Sequence, residues 1–227
     1  MQSVMFAPVA PTIESIDLRC CGVEEIMREA RGARLIVADP PWLYEREMGV
    51  ANPEAQGIYA GLSMAQIVDH LDQAFACSAP SSRLAVWYTF PKLAEWSAAG
   101  WAGERWGTVV SGGAWLKLHQ VGVGYHWRGQ TEPVALFTRG ATGRPSEVLL
   151  NGYQSRPEQH SEKPLPWLRA WVRAWTDPGD LVLDLYAGMA PVARACLLEG
   201  RRYLGAEIDP ERHAQAMDRL HMARRKG

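Results

Sequence analysis

Asp39, Pro40, Pro41 and Trp42 are consecutive residues whose types could activate an amine that is otherwise unreactive. They follow the apolar run 35–38, which is typical of a buried parallel strand, and ligands of open α/β sheets bind where such strands end. An exocyclic amine on a nucleobase is a poor nucleophile because its lone pair is conjugated into the ring. We expect the Asp39 carboxylate and the Pro40 carbonyl to accept its two N–H groups, while the Trp42 ring stacks on the base. The alternative is a strand end with a Pro-Pro turn and a core tryptophan.

A second apolar run, 181–185, breaks at Gly188, and we call residues 184–188 the glycine turn. A glycine lets the backbone approach a bound ligand closely. A third predicted strand, 202–208, carries Glu207 about 20 residues after Gly188, where dinucleotide-binding folds use a carboxylate to hold ribose hydroxyls. Because no G-x-G-x-x-G phosphate motif occurs, the pattern favours a cofactor without phosphates, such as S-adenosylmethionine. A purely structural turn is the alternative.

Together these segments resemble the adenine-N6 methyltransferases of the MT-A70 family, in the circularly permuted order of the β-class amino-methyltransferases. Five further stretches follow the family's order: 58–64, 106–107, 115–117, 124–132 and the S-x-K-P element at 161–164. The sequence departs from the β-class pattern at two places. Residues 18–23 lack the acidic residue that usually ends the first strand, and Tyr186 with Met189-Ala190 replaces the usual Phe and second Gly or Ser of the cofactor turn.

This resemblance implies an α/β fold, a Rossmann-like doubly wound mixed sheet of the class I S-adenosylmethionine-dependent methyltransferase type. It implies a single methyltransferase domain over residues 1–227, with active-site loops at about 43–61 and 119–159, and no metal. The catalytic residues would be Asp39, Pro40, Pro41 and Trp42. The cofactor contacts would be Asp39, Ser161, Lys163, Asp184, Tyr186, Gly188 and Glu207. The substrate contacts would be Tyr44, Tyr59, Lys117, Trp127, Arg128 and Glu132.

Length and composition are consistent with one compact enzyme. A chain of 227 residues and 25.2 kDa can bury a full α/β core. The sequence contains no run of 18 apolar residues, the length that would indicate a membrane span. Residues 1–11 lack the basic start of a signal peptide. The sequence has four cysteines: Cys20, Cys21, Cys77 and Cys196. They lack metal-ligand spacing and are typical of reduced packing residues, so we expect a cytoplasmic protein.

The charge distribution indicates a local rather than a global affinity for nucleic acid. The formal net charge of −1 argues against a protein that coats nucleic acid nonspecifically. Between Lys117 and Arg173, however, eight basic residues stand against four acidic ones. We expect Arg128, Arg139 or Arg144 to contact phosphates from this segment.

The periodicity of apolar residues predicts alternating strands and helices. Strands are expected near 15–19, 34–38, 83–88, 107–117, 133–138, 181–185 and 202–207. Helices are expected near 23–31, 63–76, 91–99, 164–175, 189–199 and 210–224. Asp209 before Pro210 predicts a helix N-cap. Trp167, Trp171 and Trp175 recur every four residues, which favours a core stripe over a partner-contact surface.

The sequence therefore predicts an S-adenosylmethionine-dependent methyltransferase acting on the N6 amine of adenine in DNA. DNA is favoured over RNA because no RNA-binding appendage is recognisable. In addition, the motifs in the second half of the sequence resemble those of β-class DNA enzymes. Cytosine-N4 methylation is a close alternative, although Trp42 stands where tyrosine is commoner among cytosine enzymes. An RNA adenine-N6 methyltransferase and a noncatalytic, nucleic-acid-binding MT-A70-like partner subunit remain open, as do a homodimer and a heterodimer.

Overall fold

The computed structural model describes residues 15–43, 61–101, 105–119, 128–140, 145, 149–157 and 162–225. Within these ranges, eight strands form one mixed sheet in the order β1-β8-β7-β2-β3-β5-β4-β6. Their bounds are β1 Ile16–Cys20, β2 Ala33–Ala38, β3 Ser78–Trp87, β4 Thr108–Lys117, β5 Thr131–Arg139, β6 Gly152–Ser155, β7 Leu181–Asp184 and β8 Arg202–Glu207. The five strands from β1 to β3 in this order are parallel, β5 is antiparallel to both of its neighbours, and β6 runs parallel to β4.

The strand order reverses between β7 and β2, which are adjacent although they are far apart in sequence. From β7 the chain leads outward to β8, and from β2 it leads outward to β3 on the other side. The first strand, β1, completes the half that β7 and β8 form, because it pairs with β8. Such a reversal opens a crevice at the carboxyl ends of the two central strands, where doubly wound sheets bind their ligands.

Helices cover both faces of the sheet. Their bounds are α1 Val23–Glu29, α2 Met64–Ala76, α3 Leu93–Trp96, α4 Leu165–Trp175, α5 Pro191–Glu199 and α6 Pro210–Arg224. Leu35 and Val37 of β2 join the core under α4, α5 and α6, whereas Ile36 and Ala38 join the core under α1, α2 and α3. Burial on both faces explains why β2 reads as a continuous apolar run rather than an alternating one. Among the helices of the described ranges, none is long and apolar enough to cross a membrane.

Local signals in the sequence explain where several helices begin. Ser63 and Gln66 form a reciprocal capping box at the start of α2. The Asp209 carboxylate accepts hydrogen bonds from the amides of Glu211 and Arg212 at 2.9 and 3.2 Å, which confirms the predicted N-cap of α6. The tryptophan stripe of α4 is confirmed as core, since Trp167 and Trp171 are 5% and 2% exposed.

The fold class and the seven predicted strands are confirmed, with three differences of detail. β6 was not predicted because it is a four-residue edge strand, GYQS, whose one partner among the described strands is β4. The range 119–159 is not one loop, because β5 and β6 lie within it. The helix expected over 91–99 is a 3₁₀ turn at Phe90–Lys92, the short α3, and a π turn at Ser97–Trp101. Most of the loop predicted at 43–61 lies outside the described residues.

Candidate active site

The two predicted motifs meet at the switch point of the sheet. In the register of β2 against β7, Val37 lies opposite Asp184, and the Leu185 amide donates to the Val37 carbonyl at 3.1 Å. Asp39 follows Val37 by two residues and the glycine turn follows β7. The residues predicted to bind the amine and those predicted to bind the cofactor therefore emerge from neighbouring strand ends at the same edge.

Four charged side chains, which we call the charge cluster, converge at this edge: Asp39, Lys117, Glu132 and Lys163. Lys163, just before α4, forms an ion pair with Asp39 Oδ2, and its Nζ lies 3.0 Å from Glu132 Oε2. Lys117, at the end of β4, forms an ion pair with the other oxygen of Glu132 at the start of β5. The cluster alternates in sign along its length, so predicted cofactor and substrate residues form one connected unit.

Partial burial makes the charge states of the cluster depend on one another. Burial lowers the pKa of Lys163, but Asp39 and Glu132 outweigh it and the net direction is upward. Burial raises the pKa of Glu132, but Lys163 and Lys117 outweigh it and hold the pKa below its usual value. For Asp39, burial together with nearby Glu132 raises the pKa despite the opposing Lys163. A buried charge that loses its partner is strongly destabilising, so each ion pair of the cluster stabilises the charged forms of its two members.

Trp87, which was not predicted as a site residue, packs its ring against the Lys163 ammonium group. The Lys163 Nζ lies 4.9 Å from the centroid of the Trp87 ring, and that ring is 2% exposed. A cation over an indole face in a desolvated place is favourable. The ring also stacks on Trp171 of α4. Trp87 is the last residue of β3, so it lies next to Asp39 in the parallel register of β2 and β3.

The predicted role of Trp42 is wrong for the arrangement seen here. Its ring is 5% exposed and packs edge-to-face on Trp96 at 6.1 Å, within the core under α1, α2 and α3. The backbone next to it is fixed as well, because the Leu62 amide donates to the Pro41 carbonyl at 2.6 Å. Burial of a large aromatic ring is favourable, and this arrangement leaves no open face for a base. The alternative stated from sequence, a core tryptophan, describes it correctly.

The glycine turn is held by hydrogen bonds from successive backbone amides. The amides of Leu185 and Ala187 donate to the carbonyls of Val37 and Ala206, on the strands to either side. The Gly188 amide donates to Glu207 Oε2 at 2.8 Å. Gly188 has a φ of +55°, and nothing lies within 4 Å of the place a Cβ would take, so the turn faces open space there.

Asp184 is buried at the end of β7, with 2% exposure. Its Oδ2 accepts a hydrogen bond from the Tyr203 hydroxyl at 3.0 Å. Burial raises the pKa of Asp184 to about 7, although the Tyr203 hydroxyl and the Tyr186 amide act in the opposite direction. Asp184 therefore anchors the turn from within the protein. Tyr203, whose hydroxyl it holds, was not identified from the sequence because it lies inside the apolar run of β8.

Glu207 closes the turn from the neighbouring strand. Besides the contact with Gly188, its Oε1 accepts from the Asp209 amide at 2.9 Å. Each carboxylate oxygen can accept more than one hydrogen bond, so these two contacts orient the carboxylate without exhausting it. The residue predicted to hold ribose hydroxyls is thus fixed in position by the backbone around it.

Glu162, the residue before Lys163, was not predicted as a site residue, yet its side chain is held by two arginines. Its side chain is 3% exposed, and both of its oxygens lie 2.8 Å from the Arg219 guanidinium of α6. Arg194 of α5 lies 3.4 Å from Oε1. Glu162 thereby ties the start of α4 to two helices and fixes the backbone from which Lys163 extends.

The remaining predicted site residues are distributed as follows. Tyr44, Tyr59, Trp127 and Ser161 lie outside the described residues. Arg128 is exposed and precedes β5, whose first residues lie beside the end of β3. Pro40 is buried and Pro41 half-buried. Within the part of the chain that is described, no group of three or more His, Cys, Asp or Glu side chains could hold a metal ion.

The expectation that Arg139 contacts phosphate is wrong. Arg139 is the last residue of β5, which runs antiparallel to β3, so it lies at the sheet edge opposite the charge cluster. Its guanidinium donates to the Phe75 carbonyl at 2.7 Å and to Ser78 Oγ at 3.0 Å. The Arg139 side chain therefore links the end of α2 to the start of β3. Arg144 lies outside the described residues.

Comparison with known sequences relates the second half of the chain to DNA methyltransferases. Residues 142–218 match the sequence model of a family described as DNA methylase. The type II methyltransferase M.XycI of Xanthomonas campestris pv. cyanopsidis is 33% identical over 96 residues, 42% of this chain and 31% of that protein. The DNA adenine methyltransferase YhdJ of Escherichia coli K12 is 33% identical over 75 residues, 33% of this chain and 24% of that protein. The matches support a DNA methyltransferase family, and they span less than a third of these two relatives.

Comparison with solved structures covers nearly the whole chain. TTHA0409 of Thermus thermophilus, complexed with S-adenosyl-L-methionine, superposes with a TM-score of 0.68 at 18% identity, covering 92% of this chain and 94% of that one. The cytosine-N4-specific PvuII DNA methyltransferase superposes with a TM-score of 0.65 at 13% identity, covering 92% of this chain and 91% of that one. The fold is that of class I S-adenosylmethionine-dependent methyltransferases.

Proposed function

We propose that the protein is an S-adenosylmethionine-dependent methyltransferase that modifies the N6 amine of adenine in DNA. The observation that carries this proposal is the adjacency of β2 and β7, which brings Asp39 and the glycine turn to one edge. Transfer between two bound molecules requires both reacting atoms to be held close together and in line. Two neighbouring strand ends, one with an amine-binding motif and one with a cofactor motif, meet that requirement.

The target amine is bound by Asp39 in this proposal. The Asp39 side chain is 39% exposed, so a ligand can reach it, and Lys163 contacts its Oδ2. Oδ1 accepts one N–H of the amine and the Pro40 carbonyl accepts the other, which draws the nitrogen lone pair out of conjugation with the ring. Asp39 does not need to be a strong base, because the methylated ammonium is acidic enough to lose its proton readily. Lys163, which is itself paired with Glu132, holds the carboxylate in place.

The described residues at the glycine turn fit S-adenosylmethionine. The open space over Gly188 admits a ligand against the backbone, and Glu207 retains acceptor capacity for ribose hydroxyls. We assign donor contacts to Asp39, Lys163, Tyr186, Gly188 and Glu207, with Ser161 beside the methionine carboxylate as the sequence predicts. Asp184 is buried beneath the turn and supports it instead of contacting the donor. When bound, S-adenosylmethionine supplies the methyl group as an electrophile. No phosphate-cradling loop is needed for such a donor.

We propose adenine in DNA as the target, in line with the MT-A70 resemblance of the sequence. The relative M.XycI is named as a type II methyltransferase and YhdJ as a DNA adenine methyltransferase, which supports DNA as the substrate and adenine as the base. The structural likeness to a cytosine-N4-specific enzyme concerns the fold alone. A target inside a duplex must be flipped out, at a cost of a few kcal/mol in stacking and pairing. We propose one methyltransferase domain over residues 1–227.

Nucleoside mass spectrometry after incubation with DNA and RNA of one sequence tests the proposal. We expect N6-methyldeoxyadenosine with the wild type and none with the Asp39→Ala variant. N4-methyldeoxycytidine would overturn the choice of base, and N6-methyladenosine with DNA untouched would overturn the choice of polymer. The absence of both product and donor binding by calorimetry would support a noncatalytic partner subunit.

A further inference from the structure

A chain of three hydrogen-bonding side chains runs from the glycine turn to the helices on one face of the sheet. The Tyr186 hydroxyl lies 2.9 Å from His70 Nδ1, and His70 Nε2 lies 3.1 Å from Glu24 Oε1. Tyr186 belongs to the glycine turn, His70 to α2 and Glu24 to the first turn of α1. Three separate elements are therefore joined at a position where the β-class pattern has a phenylalanine, which could not make this contact.

The hydrogen bonds of the His70 ring are formed in the protein interior. His70 is 6% exposed, whereas the Glu24 side chain is 57% exposed and can remain ionised in water. A neutral imidazole has one donor and one acceptor nitrogen. With Nε2 donating to the Glu24 carboxylate, Nδ1 accepts from the Tyr186 hydroxyl. Burial raises the pKa of Tyr186, so its hydroxyl keeps the proton that it donates.

The backbone of the glycine turn is already fixed by its amides, but those contacts do not fix the position of the Tyr186 hydroxyl. Tyr186 lies in the turn between Asp184 and Gly188, where the proposed function puts the donor, and its ring packs against the core under α1, α2 and α3. A half-buried tyrosine with an unpaired hydroxyl would seek water or another partner, because an unpaired buried polar group is costly. His70 fixes that position by holding the hydroxyl against α2.

We propose that His70 and Glu24 are positioning residues for the methyl donor, which act by fixing the Tyr186 side chain through its hydroxyl. This inference rests on the proposed function, since it assumes that the glycine turn binds S-adenosylmethionine. Neither residue touches the reacting atoms. The effect is therefore expected in donor affinity, and not in the rate at saturating donor.

Titration calorimetry of the full-length protein with S-adenosylmethionine tests the inference. Tyr186→Phe and His70→Leu each remove the contact, and each should weaken donor binding about fivefold, the change that matches one net hydrogen bond of about 1 kcal/mol. The double variant should bind no more weakly than either single variant, because all three lack the same contact. For His70→Leu, which leaves every proposed donor contact in place, turnover at saturating donor should stay within about twofold of the wild type.

Two further variants separate positioning from folding. His70→Asn keeps an acceptor near the place of Nδ1 but loses the contact with Glu24, so it should restore only part of the donor affinity that His70→Leu loses. Asp72→Ala, on the same helix, removes contacts with Trp106 and Arg105 that do not reach the glycine turn. It should lower the Tm without changing donor affinity.

The outcomes distinguish this inference from the function on which it rests. If the wild type does not bind S-adenosylmethionine, the proposed function fails. If the wild type binds it, and Tyr186→Phe and His70→Leu bind it within twofold of the wild type while only the Tm falls, the chain is a structural contact and the positioning role is overturned.

Discussion

The two halves of the active-site edge are held together by different interactions. On the side of β2, β5 and β4, the charge cluster joins side chains of alternating sign from four segments of the chain. On the side of β7 and β8, the glycine turn is held by backbone amides that donate to carbonyls and to the carboxylate of Glu207. One half fixes charge, and the other fixes the path of the backbone.

This difference matches what each half has to do. The amine-binding carboxylate must stay ionised and stay in place when a base enters, and an ion pair from Lys163 serves both needs. The donor has to lie against the backbone, so the turn must keep a left-handed glycine conformation that few residues adopt. Variants in the first half should therefore change turnover, whereas variants in the second should change donor affinity and stability.

The largest expected effect is that of Asp39→Ala. It removes the acceptor of the target amine, and losing one contact made in the transition state typically lowers turnover by about 10²-fold or more. Donor affinity should stay within a few-fold, because most of the proposed donor contacts lie elsewhere, at the glycine turn and at Glu207. Single-turnover kinetics and calorimetry measure the two quantities. Activity above about a tenth of the wild type would show that Asp39 does not bind the reacting amine.

Asp184→Asn should change how stability depends on pH. The folded pKa of Asp184, about 7, lies above the unfolded value of 3.8, so the folded state holds a proton that the unfolded state has lost. The stability contributed by the protonated acid is complete below the unfolded pKa and is lost as pH rises through the folded pKa. Asn cannot ionise, so the variant should be the more stable protein at pH 8, by about 1–4 kcal/mol.

Measuring the free energy of unfolding of both proteins from pH 4 to pH 8 tests this. The difference between the variant and the wild type should shrink as pH falls, since other titrating groups are common to both. A difference that is constant across this range would show that Asp184 is ionised throughout in the folded protein.

Glu207→Ala should weaken S-adenosylmethionine binding by about 1–2 kcal/mol, the scale of a lost charge-assisted hydrogen bond. Loss of the contact with Gly188 adds to this effect, because the turn amide is left without its acceptor. Turnover at saturating donor should change little, in contrast to Asp39→Ala. Unchanged donor affinity would place the ribose site elsewhere and remove one side of the comparison.

Much of the fold could be predicted from sequence because its signals are local. Strands buried on both faces leave continuous apolar runs, Asp209 before Pro210 marks a cap, and the glycine turn follows its strand directly. β6 gave no such signal, because a short polar edge strand is defined by its partner. The two predicted motifs could be identified separately, but only the sheet order shows that they are adjacent.

The interactions within the site were harder to predict because they join distant segments. Lys163 and Glu132 are 31 positions apart in the sequence, and nothing local indicates that they pair. His70 and Glu162 lie in ordinary helical or loop contexts, so their partners could not be inferred. Trp42 shows the opposite error: the motif suggested a ligand contact, but the neighbouring helices cover the ring.

Trp42→Phe tests whether this ring is core or ligand contact. A core aromatic exchanged for a smaller one should lose about 1–2 kcal/mol of stability, with little effect on kcat/KM for DNA. Its edge-to-face partner gives a matched control, since Trp96→Phe should behave in the same way. An increase of tenfold or more in KM for DNA, without a similar increase for Trp96→Phe, would restore the base-stacking role.

The smallest expected effect is that of Arg128→Ala, which concerns the approach of DNA rather than the chemistry. Arg128 is exposed just before β5, at the edge that carries the charge cluster, so we expect it to contact a phosphate. Losing one phosphate contact should weaken DNA binding a few-fold at low salt and reduce the slope of log affinity against log salt by about 1.

Arg224→Ala provides the matched control for this prediction. It removes the same charge from an exposed residue in the last turn of α6, a helix that begins at the active-site edge and runs away from it. It should leave the salt slope unchanged. Equal slopes for the wild type and both variants would mean that DNA does not cross Arg128, and that the phosphate contacts lie on another part of the edge.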